Sequence, residues 1–267
     1  MMFRPCLPHR LAVCLLATLA ACPPAFADDE PAANAAAAQR YPWRFQFKRQ
    51  NTDRGTADES TRSTLRLEYF PLSQLSLLRL DLPFPDADTG YSGKILDPRL
   101  GDIKLRADLE AVQAFGLPLT AYAELTLPTA DPASLGGGKY QIAPAVRTRL
   151  PAGAYRIDDS KHALTLGAVV QQVLSFAGDE SRKDIDYTKL EVSLNDGWGE
   201  GRFVKLTFKP AIDWEQGGKS GATAELEGGL RLAPEWEVAL MGGGLLWGSG
   251  VPSTYRRRIQ LTLGYRF

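Results

Sequence analysis

The last twelve residues, 256–267, read RRRIQLTLGYRF, and from Arg258 onward apolar residues alternate strictly with polar residues or glycine. Successive side chains of a β-strand point to opposite faces, so this segment predicts a strand with one polar and one apolar face. The apolar face would consist of Ile259, Leu261, Leu263, Tyr265 and Phe267. A soluble sheet would bury that face in a core, whereas a barrel in a bilayer would turn it toward lipid. The rest of the sequence has to discriminate between these two architectures.

The first 27 residues have the organisation of an export signal. Basic residues Arg4 and Arg10 precede the apolar stretch LAVCLLATLAA, and an Ala-Phe-Ala cleavage site ends at Ala27. The apolar stretch is shorter than the roughly 20 residues that a membrane-spanning helix needs. We therefore expect cleavage after Ala27, which leaves residues 28–40 as a flexible periplasmic tail and residues 41–267 as the folded domain. The signal is typical of a Gram-negative bacterium.

An alternative for the N-terminus is lipidation. Residues 19–22 read LAAC and resemble a lipobox, which would place a lipid on Cys22. All three cysteines lie within the signal, so the mature chain must rely on burial and backbone pairing instead of disulfides. Removing Arg4 and Arg10 leaves 29 basic against 31 acidic residues. That balance creates no overall field that would favour nucleic acid as a partner.

From Tyr41 onward the alternation recurs in segments separated by turn residues. Short connections alternate with long or charged ones, as in outer-membrane barrels. The exception is the segment 150–162, LPAGAYRIDDSKH, which is long on the side where short turns are expected. Each repeat leaves room for the 9–11 residues or so that a tilted membrane strand needs. The predicted strands are 41–50, 62–71, 74–84, 101–112, 117–128, 139–150, 162–176, 186–195, 202–214, 220–232, 235–247 and 254–267.

Large aromatic residues fall near the ends of these strands. Aromatic rings favour the two interfaces of a membrane, and lipid requires every backbone group to be paired internally. The sequence therefore predicts an all-β fold: a transmembrane, antiparallel, up-and-down β-barrel of about 12 strands in contact with outer-membrane lipid. A soluble periplasmic β protein is the structural alternative. The residues assigned to one rim are Trp43, Tyr69, Trp236, Tyr265 and Phe267, and those assigned to the other are Phe84, Trp214, Trp247 and Tyr255.

The C-terminal strand resembles the recognition strand of outer-membrane barrels. In that class a closing Phe, preceded by aromatic and aliphatic residues at alternating positions, is read by the barrel-assembly machinery. The resemblance implies that Tyr265 and Phe267 form an assembly signal and that this machinery is a partner of the chain.

Three short elements are similar to a narrower family, the outer-membrane barrels named for the meta-pathway of phenol degradation. Gly101-Asp102 opens a strand, Leu127-Pro128-Thr129 ends one, and Gly136-Gly137-Gly138 precedes the next. The match covers residues 99–146 and departs from the family pattern at Leu100 and Ala130, where glycine is common. The resemblance implies a transporter-like barrel with no assigned substrate.

The polar faces of the strands predict a charged lumen. Eight strands leave an interior filled by side chains and sixteen leave an open channel, so a barrel of twelve falls between them. We interpret the charges as lining a channel for small solutes of unknown identity, with a slight preference for anions. The alternative is a closed structural or interaction barrel whose charges pair. The predicted pore-lining residues are Arg44, Lys48, Arg66, Glu68, Arg79, Asp81, Lys104, Arg106, Asp108, Glu110, Glu124, Arg147, Arg149, Lys189, Glu191, Lys205, Lys209, Glu225, Glu227, Arg256 and Arg258.

Catalytic and metal-binding signals are weak. His162 is the one histidine after the signal, and we interpret it as a solvated residue beside a turn. A lipid-modifying enzyme, the least favoured alternative, would need it beside a nucleophile. The segment 86–88 lacks the further ligands of a calcium loop, and residues 136–139 lack the spacing of a phosphate loop. We assign no catalytic residue, no metal ligand and no cofactor.

Overall fold

A computed structural model describes residues 41–71, 74–86, 99–157, 159–199 and 201–267. The predicted signal peptide, Cys22 and the tail 28–40 lie outside these residues, as does most of the segment 86–88. No helix in the described residues is long and apolar enough to cross a membrane. The strands are β1 (Trp43–Thr52), β2 (Ser60–Tyr69), β3 (Leu75–Pro85), β4 (Ile103–Leu109), β5 (Val112–Ala114), β6 (Leu117–Leu127), β7 (Lys139–Ile157), β8 (Ser160–Gly178), β9 (Asp186–Trp198), β10 (Arg202–Asp213), β11 (Lys219–Arg231), β12 (Trp236–Trp247) and β13 (Arg257–Arg266).

The strands form one closed antiparallel sheet. Each long strand pairs with its neighbours in sequence, β1 pairs with β13, and β4 pairs with β6 across the short β5. β5 pairs only with β6, so it is a side hairpin and not a member of the ring. The ring therefore has twelve strands, and the predicted transmembrane barrel is confirmed. The start of β1 at Trp43 and the C-terminal Phe267 lie at one end of the barrel, called here the terminus end, and the opposite end is called the far end.

Alternate residues of each strand face the inside and the outside of the barrel. Side chains from distant strands, including Lys48 of β1, Glu124 of β6 and Lys189 of β9, surround one cavity, which is possible only inside the ring. Along the strands, the residues that alternate with these inward-facing ones include many large, exposed apolar side chains. On β13 the apolar residues face outward, and Ile259 is 62% exposed. The alternation in RRRIQLTLGYRF therefore reflects lipid on one side and the lumen on the other.

Aromatic residues form a continuous patch at the terminus end. The ring of Trp43 stacks on that of Tyr69 at 4.5 Å and lies 6.5 Å from that of Phe267. Tyr265 lies 6.0 Å from Phe267 and 4.8 Å from Trp236. All five residues assigned to this rim are therefore neighbours, as the girdle hypothesis predicts.

At the far end the girdle prediction is wrong for one residue. Trp214 and Trp247 are exposed, as expected of interfacial rings. Tyr255 is only 4% exposed, and its hydroxyl donates a hydrogen bond to the Glu225 carboxylate. Its ring turns into the barrel because the loop 248–256 folds inward, so it is not part of the outer girdle.

The segment 150–162 does not form the long connection that the sequence suggested. β7 continues to Ile157 and β8 begins at Ser160, so only two residues separate the two strands. The two strands pair along this stretch, with a register shift between Pro151 and Gly153. The hairpin extends the barrel wall at the terminus end, and the rule of short turns on that side holds.

Candidate functional site

The far half of the lumen contains a cavity of about 600 Å³. Its wall comes from most of the strands and from the loop 128–138. Six of the residues around it are basic and three are acidic. The basic ones are Lys48, Arg62, Arg66, Arg79, Lys104 and Lys189, and the acidic ones are Asp81, Asp102 and Glu124.

The rim of this cavity is held together by Asp102. Its carboxylate accepts hydrogen bonds from the backbone N–H of Gly137 at 2.6 Å and of Ala130 at 3.3 Å. The Thr129 hydroxyl donates to the Gly101 carbonyl at 3.1 Å and accepts from the N–H of Ile103 at 3.0 Å. A side chain at Gly136 would collide with the Asp102 carboxylate, so a glycine is required there. The loop is therefore fixed over the cavity.

A second loop supports the first. The N–H of Asp179 donates to the Gly138 carbonyl at 2.9 Å, and Gly138 has a positive φ of 68° that favours glycine. Lys139 lies 2.8 Å from Asp184. The hydrogen bond from Lys139 and its positive charge hold the pKa of Asp184 below its usual value. The loops 128–138 and 179–185 thus form one side of the mouth.

One wall of the cavity carries a chain of ion pairs across four strands. The Arg66 guanidinium binds Asp81 through two hydrogen bonds, of 2.6 and 2.8 Å. Arg79 lies between Asp81 and Glu124, and Lys104 binds Glu124 at 3.1 Å. Each carboxylate on this wall therefore contacts two cations, which fixes the position of the side chains.

Deeper in the lumen, Asp108 is fully buried between two arginines. Arg106 binds it through two hydrogen bonds, of 2.6 and 2.8 Å, and Arg147 lies 3.1 Å away. The Arg106 guanidinium also lies over the ring of Tyr122, 3.5 Å from its centroid. These groups fill part of the lumen on the side toward the terminus end.

The opposite wall has its own pairs. Lys205 lies 2.5 Å from Glu227, and Lys209 lies 2.5 Å from Glu225. Glu225 also accepts the hydrogen bond from Tyr255, whose ring lies under the Arg258 guanidinium at 3.7 Å. The loop 248–256 is therefore tied to the lumen wall.

The remaining predicted pore residues are placed as follows. Arg44 binds Glu68 at 2.6 Å, and Lys189 lies 3.6 Å from Glu191. Arg149 is exposed on the inward face of β7. Two assignments to strands are wrong: β4 ends at Leu109 and β13 begins at Arg257, so Glu110 and Arg256 lie in exposed connections.

Sequence reasoning missed several inward-facing residues. Arg62 lines the cavity; it is the first residue of the predicted strand 62–71 and lies an even number of residues from Arg66 and Glu68, which is the signal that places it on the same face. Gln50 and Gln260 also line the cavity, and as neutral side chains they lie outside a prediction based on charge. Glu237, which binds Arg266 at 3.2 Å, lies on a predicted strand but was not selected.

The interpretation of His162 as a solvated residue is wrong. Its ring is buried between Tyr155 and Trp198, at centroid distances of 4.7 and 5.0 Å. Its Nδ1 lies 3.0 Å from Asp196, which also accepts a hydrogen bond of 2.6 Å from the Tyr155 hydroxyl. This cluster lies on the outward face of the extended wall. In the described part of the chain, no serine or threonine hydroxyl is hydrogen-bonded to His162.

No group of three or more metal-ligating side chains is brought together within the described residues. No protein-family model matches the sequence, and no curated protein is similar to it.

Solved structures are similar in fold. An outer-membrane channel of the COG4313 group from Pseudomonas putida F1 is 14% identical and has a TM-score of 0.59, over 84% of this chain and 94% of that one. The NanC porin is 6% identical, with a TM-score of 0.57, over 84% of this chain and 100% of the porin. The KdgM porin, in complex with disordered oligogalacturonate, is 8% identical, with a TM-score of 0.54, over 84% and 99%. At these identities the likeness shows the fold, a barrel of the kind that outer-membrane channels have.

Proposed function

We propose that this protein is an outer-membrane channel for small hydrophilic solutes, with a modest preference for anions. The observation that carries the proposal is the far cavity, whose wall has six cations and three carboxylates. A basic excess at a narrow passage raises the local concentration of anions and lowers that of cations. The likeness to the KdgM porin, whose structure holds an acidic oligosaccharide, supports this function.

The proposed location is the outer membrane of a Gram-negative bacterium, with the terminus end toward the periplasm. The predicted signal peptide and the short turns at the terminus end support this orientation. The proposed partners are outer-membrane lipid at the exposed apolar face and the barrel-assembly machinery at the C-terminal strand. We also propose a relation to the meta-pathway family. It is supported by the hydrogen bonds of Asp102 to Ala130 and Gly137, which join the Gly-Asp element to the loop that holds the Gly-rich element.

The test is conductance of the refolded protein in a planar bilayer, with the reversal potential measured in a salt gradient. We expect discrete current steps and a reversal potential that indicates anion preference. Arg149→Gln removes an exposed inward charge and should shift the reversal potential toward cations. Arg156→Gln lies in the hairpin beyond the barrel and should leave it unchanged. A reversal potential that favours cations in the wild type would overturn the anion preference.

A closed barrel is the second candidate, and a specific observation favours it. Tyr122 and Met241 project into the lumen and are buried, and Asp108 beside Tyr122 is fully buried. Side chains thus fill part of the interior below the cavity. If the barrel is closed, we expect the protein to insert stably into the planar bilayer without producing current steps.

A further inference from the structure

Two cations of the far cavity lie directly opposite uncharged residues on both adjoining strands. Lys48 lies opposite Thr64 on β2 and Thr262 on β13. Arg62 lies opposite Gln50 on β1 and Pro85 on β3. Within the described residues, neither side chain forms an ion pair or a hydrogen bond. They differ in this from the paired cations Arg66, Arg79 and Lys104, which line the same cavity.

The missing countercharge follows from the sequence of β3. Asp81 neutralises Arg66, but the next two inward positions are Pro83 and Pro85, which lie opposite Thr64 and Arg62. A side chain on Gly101 would lie 3.2 Å from Pro85 and 3.3 Å from Pro83, so the neighbouring strand end is also packed against these rings. The Asp102 carboxylate, next to Gly101, attracts the Arg62 charge from beyond ion-pair distance, but it is itself held by the N–H groups of Gly137 and Ala130.

Neutral polar side chains complete the surface. Gln50, Thr64 and Gln260 line the cavity beside the two cations. The Gln50 amide donates to Thr52 at 3.0 Å and the Gln260 amide donates to Thr262 at 3.3 Å. Their carbonyl oxygens remain available to accept hydrogen bonds from a solute. Lys48 and Arg62 are diagonal neighbours on one face, a relationship that places two residues roughly 7–8 Å apart, with their Cβ atoms somewhat closer.

We propose that Lys48, Gln50, Arg62, Thr64 and Gln260, called here the carboxylate face, bind a hydroxylated organic acid such as a sugar acid. The inference rests on the proposed function and names its substrate class. The two cations bind the carboxylate, and Arg62 can do so through two parallel hydrogen bonds. The amide oxygens accept hydrogen bonds from the solute hydroxyl groups. A neutral sugar of the same shape lacks the charged group and binds weakly.

The experiment is isothermal titration calorimetry of the full-length mature barrel, folded in a non-ionic detergent, with D-galacturonate and D-galactose as probes. These sugars differ in a carboxylate against a hydroxymethyl group. Lys48→Gln and Arg62→Gln should each weaken galacturonate binding about tenfold, which corresponds to about 1.4 kcal/mol, because each removes a charge-assisted hydrogen bond to the carboxylate. Lys48→Arg keeps the charge and should retain binding. Heat-dependent gel migration verifies that each variant is folded.

Lys205→Gln is the matched control, because it removes one positive charge from a lysine that is already paired with Glu227. It should leave galacturonate affinity within a factor of two of the wild type. Equal binding of galactose, equal loss in Lys205→Gln, or absence of galacturonate binding would each overturn the inference. Binding is measured without current, so a barrel that binds galacturonate but does not conduct would refute the channel and keep the carboxylate face.

Discussion

The Asp102 carboxylate accepts a hydrogen bond of 2.6 Å from the backbone N–H of Gly137, which lies 35 residues further along the chain. This bond joins the start of β4 to the loop before β7, and Thr129 at the end of β6 bonds to the same strand start. The Gly-Asp, Leu-Pro-Thr and Gly-rich elements that are separate in the sequence are thus one structural unit. That unit forms part of the rim of the lumen cavity.

The first prediction concerns the glycine beneath this bond. In Gly136→Ala the new methyl group would collide with the Asp102 carboxylate and with Ala130. Overpacking of this kind costs about 1–3 kcal/mol, so we expect the loop 128–138 to detach and become sensitive to protease. Gly137→Ala is the control, because its Cβ would lie 3.6 Å from Asp102, an ordinary contact. Equal protease resistance of both variants would contradict the role of Gly136.

A second prediction concerns the buried carboxylate of the lumen. Asp108→Asn keeps the shape of the side chain but leaves Arg106 and Arg147 without their negative partner. Removal of one partner from a buried ion pair destabilises a protein by about 3–5 kcal/mol. Urea unfolding in lipid vesicles measures this loss. Glu227→Gln, at the more exposed pair with Lys205, should lower stability by less than about 1 kcal/mol. A similar loss in both variants would show that burial of Asp108 is not decisive.

A third prediction separates folding from assembly at the C-terminus. Phe267 exchanges two backbone hydrogen bonds with Trp43, of 3.0 and 3.1 Å, and these do not need its ring. Phe267→Ala should therefore refold in detergent yet accumulate several-fold less in the outer membrane of cells. Leu240→Ala, an exposed outward residue of β12, is the control. Normal membrane levels of Phe267→Ala would refute the assembly signal.

The fourth prediction concerns acid pH at the mouth. Because the folded state lowers the pKa of Asp184, its contact with Lys139 stabilises the loop 179–185 above the ordinary aspartate pKa of 3.8. That stabilisation is lost as the pH falls through the lowered value in the folded protein. We expect hydrogen exchange in this loop, corrected for intrinsic rates, to accelerate below about pH 4. Asp184→Asn should show fast exchange at all pH values, and an unchanged pH profile in that variant would contradict the assignment.

Several features could be predicted because they depend on local sequence. The faces of a strand alternate whatever its partner, so the inward position of Lys104 and the outward position of Leu105 follow from their order alone. The aromatic rim at the terminus end was also predictable, because Trp43 and Phe267 lie at the two ends of the folded chain. The membrane barrel follows from these patterns together.

Other features depend on which residues of neighbouring elements come into contact when the strands pair. The inward turn of Tyr255 requires Glu225 within hydrogen-bonding distance, and the burial of His162 requires Tyr155 and Trp198 on neighbouring strands. β7 and β8 continue to pair beyond Leu150, up to Ile157 and Ser160. The sequence did not predict this extension, because the composition of the segment 150–162 is typical of a loop.

By itself, the sequence determined that the chain forms membrane strands with a charged inner face, because side-chain alternation is a local property of the backbone. Only the tertiary structure decided which charges are neutralised. Arg66 and Arg62 are equivalent in the sequence pattern, but register places Asp81 opposite Arg66 and Pro85 opposite Arg62. A shift of register would give both arginines different partners, so the location of unpaired charge, and with it the candidate binding site, is a property of the paired strands.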